Sequence, residues 1–456
     1  MADQRPLVAD LTRSASTSSV TVAPWQVVLY ADGARIAERP QYLDEMHQQI
    51  GLSTVIMAGP VRLSPQTWAL NPIVSAGATH GPGGFVEGDD RAVRTALDEV
   101  HRRGMKAWLI GGGYHGAAAE APDCMTVDLT GRPLDVECPP QWTFEASKTH
   151  CACPSNPRLH DFYRAAYAEV ARNYEYDGSA LTHVRYWQAG VYTGLLHCGC
   201  QHCQKRAAAL GFDFPAMRSS VLEVAQALRQ VPTRYLRDAA AIPFDAADFL
   251  HLITPHAEDF VAWLTFRCRT IADSMADVRQ AVHQAVGDRE FAWGMDTYFP
   301  TFARLVGHDY RLLSGALDQM VPLLSHVAIH GYQSLAAYAQ ALVDTHPDLP
   351  ETDALRVTYR LFGWDGFGLP QTAIAALECL EPDMSESRSP ELLSMMKSEL
   401  AKARILGGDT PMYPVLKGRI WPQSVIQELT AEARRLGFAG VTYQGTDLLE
   451  SRAVGG

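Results

Sequence analysis

No stretch of this 456-residue chain approaches the ~18 consecutive apolar residues that a membrane-spanning helix needs. Residues 1–20 also lack the apolar core of a secretory signal peptide, and we expect them to form a flexible lead. The formal net charge of −12 argues against a nucleic-acid backbone as the partner. These absences predict a cytoplasmic protein with neither a membrane nor a nucleic-acid partner.

A G-x-G-x-x-G turn is also missing after the first predicted strand, which gives little support to nucleotide binding. What the chain does contain is a repeated order of predicted strands and helices. The strands are short apolar runs at 25–32, 54–59, 105–110, 180–187, 291–296, 326–330, 412–417 and 440–444. Runs without polar alternation are typical of parallel sheets, and eight strand–helix units favour an α/β fold of the (β/α)8 TIM barrel type. An open doubly wound sheet is the alternative.

We predict a single barrel domain over residues 21–456, because a barrel with long loops and helical insertions can absorb this length. Within it, residues 149–211 form a cysteine-rich loop region, and residues 212–287 read as a helical insertion. Homo-oligomerisation is compatible with such a barrel, but the sequence identifies no interface.

Three of the nine cysteines follow the pattern C-x-C-x2-C: Cys198, Cys200 and Cys203. Zinc takes four sulfur or nitrogen ligands in a tetrahedron, and cytosolic cysteines are metal ligands or buried thiols more often than disulfides. The fourth ligand must come from elsewhere, and Cys151 and Cys153 are the candidates. A closed four-sulfur site would be structural, because catalytic zinc keeps an open position. We therefore predict structural zinc, with buried free thiols or a disulfide pair as the alternatives.

The stretch from Thr149 to Gly211 resembles the zinc-carrying β-galactosidases of the glycoside hydrolase barrel clan. In those enzymes a C-x-S-x-P-type turn leads into a helix, and a strand, a C-x-C-x2-C loop and another helix follow. Residues 153–157, Cys-Pro-Ser-Asn-Pro, match the turn. The resemblance implies that Cys153 is the fourth ligand, beside Cys198, Cys200 and Cys203.

Residues 176–186, 294–300 and 305–310 are similar to recurring segments of a broader group of barrel-fold glycosyl hydrolases. Together the resemblances imply a carbohydrate-active enzyme that cleaves a glycosidic bond in a small sugar conjugate or oligosaccharide. In those β-galactosidases the catalytic glutamates lie on strands four and seven, and neither glutamate is present in this chain. Residues 186–190 at the end of strand four contain no carboxylate, and strand seven ends in Lys417.

Glycoside hydrolysis normally needs two carboxyl groups, at the carboxyl ends of the barrel strands. Asp296 is the strongest candidate, because an apolar run precedes it and Tyr298 follows, a setting that raises a carboxyl pKa. A turn or capping aspartate is the alternative. His330 and Arg185 complete the predicted catalytic set, His330 as a relay to Asp296 and Arg185 as a partner of the substrate or of a carboxylate.

Further polar and aromatic side chains at or just beyond strand ends are predicted to bind substrate: Asp32, His115, Gln188, Tyr298, Tyr332, Lys417 and Gln444. Asp32-Gly is also an ordinary turn sequence. Because fold alone does not fix function, two other readings stay open. One is a lyase, isomerase or transferase that uses His330, Lys417 and Arg185, and the other is a non-catalytic sugar-binding barrel.

Overall fold

The structure alternates short strands with helices. The computed structural model describes residues 24–72, 85–86, 89–114, 122–132, 152–186, 194–377, 389–418 and 421–444. Its strands are β1 Gln26–Asp32, β2 Thr54–Ala58, β3 Val61–Arg62, β4 Phe85–Val86, β5 Lys106–Leu109, β6 Gly178–Ser179, β7 Gly294–Thr297, β8 Gln319–Pro322, β9 Val415–Lys417 and β10 Gly440–Gln444. Its α-helices are α1 Gly33–Glu38, α2 Gln41–Ile50, α3 Pro65–Trp68, α4 Arg91–Arg102, α5 Pro157–Asn173, α6 Gln201–Ala209, α7 Phe214–Gln230, α8 Thr233–Ala241, α9 Ala246–Ile253, α10 Ala257–Val286, α11 Pro300–Ala303, α12 Tyr310–Ala316, α13 Gln333–Thr345, α14 Glu351–Leu361, α15 Ile374–Leu377, α16 Ser389–Gly407 and α17 Gln423–Arg435.

The strands pair in parallel, which confirms the predicted parallel sheet. One sheet has the order β6-β5-β2-β1-β10-β9, and β7 pairs with β8. Isolated parallel bridges connect the two groups. Leu181, just after β6, bridges to Met295 of β7, and Met320 of β8 bridges to Met412, just before β9. The short strands β3 and β4 form a separate pair.

Capping residues explain several helix boundaries. Asn156 accepts a hydrogen bond from the Arg158 N–H and so begins α5. Asp213 accepts one from the Ala216 N–H and begins α7. At the other end, Gly51 has a left-handed backbone (φ 73°) and terminates α2.

Two predicted strands differ from the structure. The predicted sixth strand at 326–330 is wrong, because β8 lies earlier and residues Val327–Tyr332 form a π-helical turn that continues into α13. A short apolar run has the same pattern in a strand and in a buried helix, so its periodicity did not decide between them. The predicted fourth strand at 180–187 is also displaced, since β6 ends at Ser179 and only isolated bridges follow.

The strands separate two hydrophobic clusters. The larger cluster lies between the strands and the helices, and includes Trp263 and Phe266 of α10. The smaller one lies on the opposite face of the strands and is built from Val28, Tyr30, Ile56, Ala58, Trp108, Ile110, Ala180, Val321, Leu323, Tyr413 and Val415. We call this second face the inner face. Because side chains alternate along a strand, the next inward positions lie at the carboxyl ends of the strands.

The opposite ends of the strands are held by two aspartates in equivalent positions. Asp177 precedes β6, accepts a hydrogen bond from the Ala107 N–H of β5 at 2.8 Å, and contacts His101 of α4. Asp318 precedes β8, accepts from the Trp293 N–H at 2.9 Å, and forms an ion pair with Arg279 of α10. Each carboxylate therefore connects a helix to two adjacent strands.

Candidate active site and metal centre

Several predicted site residues gather at the carboxyl ends of the strands. Asp32 and Lys417 follow the inner-face residues Tyr30 and Val415 at a spacing of two. Thr182, which was not predicted, follows Ala180 in the same way. Gln444 pairs with Lys417 in the register of β10 and β9. Side chains that are far apart in sequence thus line one end of the sheet.

Asp296 of β7 lies at this end and is 6% exposed. The Tyr30 hydroxyl donates to its Oδ1 at 2.9 Å, and the Thr182 side chain forms a second hydrogen bond to it. Burial raises the pKa of Asp296 to about 7, although Tyr30, Thr182 and the nearby Arg185 each lower it. A carboxyl group with this pKa can both donate and accept a proton near neutral pH.

Tyr298, two residues after Asp296, begins a column of aromatic and imidazole rings. The ring of His330 stacks on Tyr298 at a centroid distance of 4.0 Å and on His326 at 5.0 Å. The Arg185 guanidinium lies 5.6 Å from the Tyr298 ring centre. Burial lowers the pKa of His330 well below its usual value and that of His326 to about 3. Both imidazoles are therefore neutral at pH 7 and offer flat, polar-edged surfaces.

A buried histidine fixes the start of this column. The Tyr298 N–H donates to His308 Nδ1 at 3.0 Å, and His308 Nε2 lies 2.8 Å from the carbonyl oxygen of Val184. Burial lowers the pKa of His308 to about 4, so the ring is neutral, with its proton on Nε2. His308 thereby ties the segment after β7 to the segment after β6, which also carries Arg185.

The predicted binding residues differ in their own contacts. Asp32 caps α1, where its carboxylate accepts hydrogen bonds from the Ala34 and Arg35 N–H groups. Lys417 lies near His326 and lowers the pKa of that imidazole further. Tyr332 is buried at the end of the π-helical turn, with its ring 6.4 Å from that of Trp364. His115 and Gln188 lie outside the described residues, and their roles stay predictions.

The sequence analysis missed five groups near this end of the strands. Tyr30 and Thr182 form hydrogen bonds to Asp296, and His183, His308 and His326 lie near Arg185. Two of them carried a usable signal. Tyr30 lies two residues before the end of β1 and so shares the inner face with Asp32. Thr182 lies two residues after Ala180 and so shares the inner face with it.

The predicted metal ligands also lie together. The sulfur atoms of Cys153, Cys198, Cys200 and Cys203 are all within 4.8 Å of one another. Cys153 Sγ lies 3.4 Å from the Sγ atoms of Cys200 and Cys203. Zinc–sulfur bonds of ~2.3 Å give a tetrahedron with sulfur–sulfur edges of about 3.8 Å. The cluster is therefore close to the dimensions that one metal ion requires. Cys151 lies outside the described residues.

The chemistry of the four thiols also fits a cation. Burial raises the pKa of Cys153 well above its usual value, whereas hydrogen bonds from the three neighbouring thiols lower that of Cys200. Cys200 precedes α6, and Cys203 lies in the first turn of that helix, where the helix dipole favours negative charge. The hydrogen bonds and the helix dipole thus favour the ionised form of Cys200, and ionisation of all four thiols needs a cation to balance it.

Comparison with known proteins supports the fold. No protein-family model and no curated protein matches the chain. The glycoside hydrolase domain of PgaB (BpsB) from Bordetella bronchiseptica has a TM-score of 0.50 and 11% identity, over 92% of this chain and 94% of that domain. The β-galactosidases of Bacillus circulans sp. alkalophilus and Rahnella sp. R3 have TM-scores of 0.48 and 0.47, at 11% and 12% identity. They cover 94% and 95% of this chain, which spans 52% of each enzyme. The likeness to the PgaB domain shows that the chain has a glycoside-hydrolase-like fold, as its motifs implied.

None of the helices in the described ranges combines the length and the hydropathy that crossing a membrane requires.

Proposed function

We propose that this protein is a carbohydrate-active enzyme that cleaves the glycosidic bond of a small sugar conjugate, with Asp296 as its acid or base. The observation that carries this proposal is the pKa of about 7 of a buried carboxyl group at the carboxyl end of a parallel strand. General acid–base catalysis works best when the pKa of the group lies near the working pH. The glycoside-hydrolase-like fold supports the same reaction class.

We further infer that the eight strands β1, β2 and β5 to β10 close into a (β/α)8 barrel formed by residues 21–456. The bridges from Leu181 to Met295 and from Met320 to Met412 support closure, because they join the two groups of strands at both ends. A closed barrel places the inner-face side chains around one mouth, where barrel enzymes carry their active sites.

Within that mouth, Arg185 would bind the substrate or stabilise the ionised form of Asp296. His330 and Tyr298 would form a flat wall against a sugar ring, because stacked aromatic groups bury apolar ring faces. Lys417 of β9 and Gln444 of β10 would donate hydrogen bonds to hydroxyl groups. His115 and Gln188 are proposed to act from neighbouring loops.

A non-hydrolytic reaction is the second candidate, and one observation favours it. The buried acidic residues in the described part of the chain are Asp128, Asp296 and Glu399. Glu399 is engaged by Thr301, Trp364 and Lys402, and Asp128 by residues 130 and 132. Within the described residues, no second buried carboxyl group is therefore free to act with Asp296. A lyase, isomerase or transferase would use Asp296 with Arg185 or His330 instead.

The metal centre is proposed to hold structural zinc, because four sulfur ligands leave no open position for substrate. Cys153, Cys198, Cys200 and Cys203 would bind the ion and fix the 194–203 loop against α5. The bound ion would contribute directly to folding stability. We also propose a cytoplasmic location, where thiols stay reduced. That the chain forms a homo-oligomer stays a prediction.

The proposed reaction is tested with aryl glycosides of several sugars, each carrying a good or a poor leaving group. If Asp296 is the general acid, Asp296→Asn lowers kcat/KM on phenyl glycosides by about 10²–10⁴-fold but much less on 2,4-dinitrophenyl glycosides, whose departure needs no proton. Loss on both substrates assigns Asp296 as base or nucleophile. Asp213→Asn is the control, because asparagine also caps a helix and Asp213 is exposed at the start of α7.

Undiminished turnover in Asp296→Asn would contradict the proposed role of Asp296. No turnover of any glycoside by the wild type would favour the non-hydrolytic reaction. Binding of a sugar without any turnover would favour the non-catalytic reading.

A further inference from the structure

Arg267 of α10 is fully buried, with 0% of its surface exposed. Its Nη2 donates to the carbonyl oxygen of Gly194 at 2.9 Å. The other two nitrogens, Nε and Nη1, have no hydrogen-bond partner within the described ranges. A buried guanidinium without a counter-charge is strongly unfavourable, so this charge needs an explanation.

The surroundings of Arg267 contain sulfur and phenol groups. The guanidinium lies 4.4 Å from the ring centre of Tyr186 and 5.8 Å from that of Trp263. Burial lowers the pKa of Arg267, while the neighbouring Tyr186, Cys268, Tyr338 and Cys203 raise it. None of these neighbours is a carboxylate. Cation–π contact with two rings offsets part of the burial penalty, but it supplies no negative charge.

Tyr186 contacts Arg267 and also lies close to Cys203 and Cys153. The residue that Arg267 holds, Gly194, begins the turn that leads directly to Cys198, and Trp263 donates to Leu195 of the same turn at 2.9 Å. Arg267 is thus connected to the cluster both through space and through the loop that carries its ligands.

Four thiolates around a divalent ion carry a net charge of about −2, which is also unfavourable in a buried site. We propose that Arg267 is the buried counter-charge of the four-cysteine metal centre and stabilises its metal-bound form. This inference rests on the proposed metal centre and is independent of the proposed reaction. It identifies Arg267 as a positioning residue that acts on the metal through its charge.

Other cations near the cluster are already balanced. Arg206 of α6 pairs with Asp273, and Arg158 of α5 pairs with Asp123. Both of these arginines are also partly exposed, so solvent screens their charge. In contrast to Arg206 and Arg158, Arg267 is fully buried, and its described partners include no carboxylate.

The test separates the charge of Arg267 from its hydrogen bond to Gly194. Arg267→Gln keeps a donor but removes the charge, and Arg267→Lys keeps the charge but loses the planar group. Zinc affinity is measured by competition with a colorimetric chelator, and melting is followed in zinc-loaded and zinc-free protein. Arg269→Gln is the matched control, because Arg269 lies on the same helix, half exposed and paired with Asp273.

We expect Arg267→Gln to weaken zinc binding by about 10–100-fold, the usual effect of losing a group that supports a metal site. Arg267→Lys should lie much closer to the wild type, and Arg269→Gln should equal it. In zinc-free protein the sulfurs regain protons, so Arg267→Gln should melt at or above the wild-type temperature.

Equal losses in the Gln and Lys variants, or equal destabilisation of loaded and zinc-free protein, would show that Arg267 acts only by packing or by its hydrogen bond. If the wild type bound no zinc, the proposed metal centre itself would be wrong. A wild type that binds one zinc per chain, with both variants unchanged, would overturn the role of Arg267 alone.

Discussion

Replacing Asp296 with asparagine should stabilise the protein at alkaline pH. The folded protein raises the pKa of Asp296 from its ordinary value of 3.8 to about 7, and each pKa unit corresponds to about 1.36 kcal/mol. Ionising this carboxyl group therefore costs the folded state about 4 kcal/mol relative to the unfolded chain. Asparagine has nearly the same shape, stays neutral, and can still accept the hydrogen bond of Tyr30.

The sign of the effect follows from proton binding. Between about pH 4 and pH 7 the folded state holds a proton on Asp296 that the unfolded chain has released, so wild-type stability falls as the pH rises. The stability contributed by the protonated group is complete below pH 4 and is lost as the pH passes 7. The difference between Asp296→Asn and the wild type should thus be small at pH 4.5 and approach about 4 kcal/mol at pH 8.5.

Urea denaturation of both proteins at several pH values between 4.5 and 8.5 measures this difference. Asp32→Asn is the matched control, because asparagine also caps a helix and Asp32 lies at the end of a neighbouring strand. Asp32→Asn should not be more stable than the wild type at pH 8.5. The reasoning is refuted if Asp296→Asn has the same pH dependence as the wild type, or is the less stable protein at pH 8.5.

Three further outcomes follow from the same site and from the metal centre. Tyr30→Phe removes a hydrogen bond that lowers the pKa of Asp296. The limb of the pH–activity profile that reports ionisation of Asp296 should therefore move up by about one pH unit. An unchanged profile would contradict this. Cys200→Ser should release most of the bound zinc and lower the melting temperature, as metal analysis beside thermal melting will show; unchanged metal content would argue against the site. His308→Leu leaves two buried backbone groups unpaired, the Tyr298 N–H and the Val184 carbonyl oxygen. It should lower the free energy of unfolding, measured by urea denaturation, by about 2–5 kcal/mol. A loss below ~1 kcal/mol would contradict this.

Local patterns made much of this structure predictable. The alternation of apolar runs and helices predicted β1, β2, β5, β9 and β10 close to their observed bounds. The C-x-C-x2-C spacing and the turn at Cys153 identified four cysteines that the fold brings together. These features were readable because short segments determine them.

Features that depend on distant parts of the chain were not predictable. Tyr30 and Asp296 are 266 residues apart and meet only because β1 and β7 contribute to the same inner face. Arg267 sits within the apolar stripe of α10, where its sequence neighbours give no hint of the cysteine loop that it contacts. His330 was placed on a strand, whereas it lies in a π-helical turn, because a five-residue apolar run does not distinguish strand from helix.

The two aspartates that connect helices to strands lie at the amino ends of the strands, away from the residues proposed to carry out the reaction. Asp177 and Asp318 hold helices and strands together at one end, while Asp296 and its neighbours occupy the other. Adaptation of the mouth to a new substrate would leave both links untouched. Directed evolution of this protein should therefore tolerate many substitutions around Asp296 while selecting strongly against loss of Asp177 or Asp318.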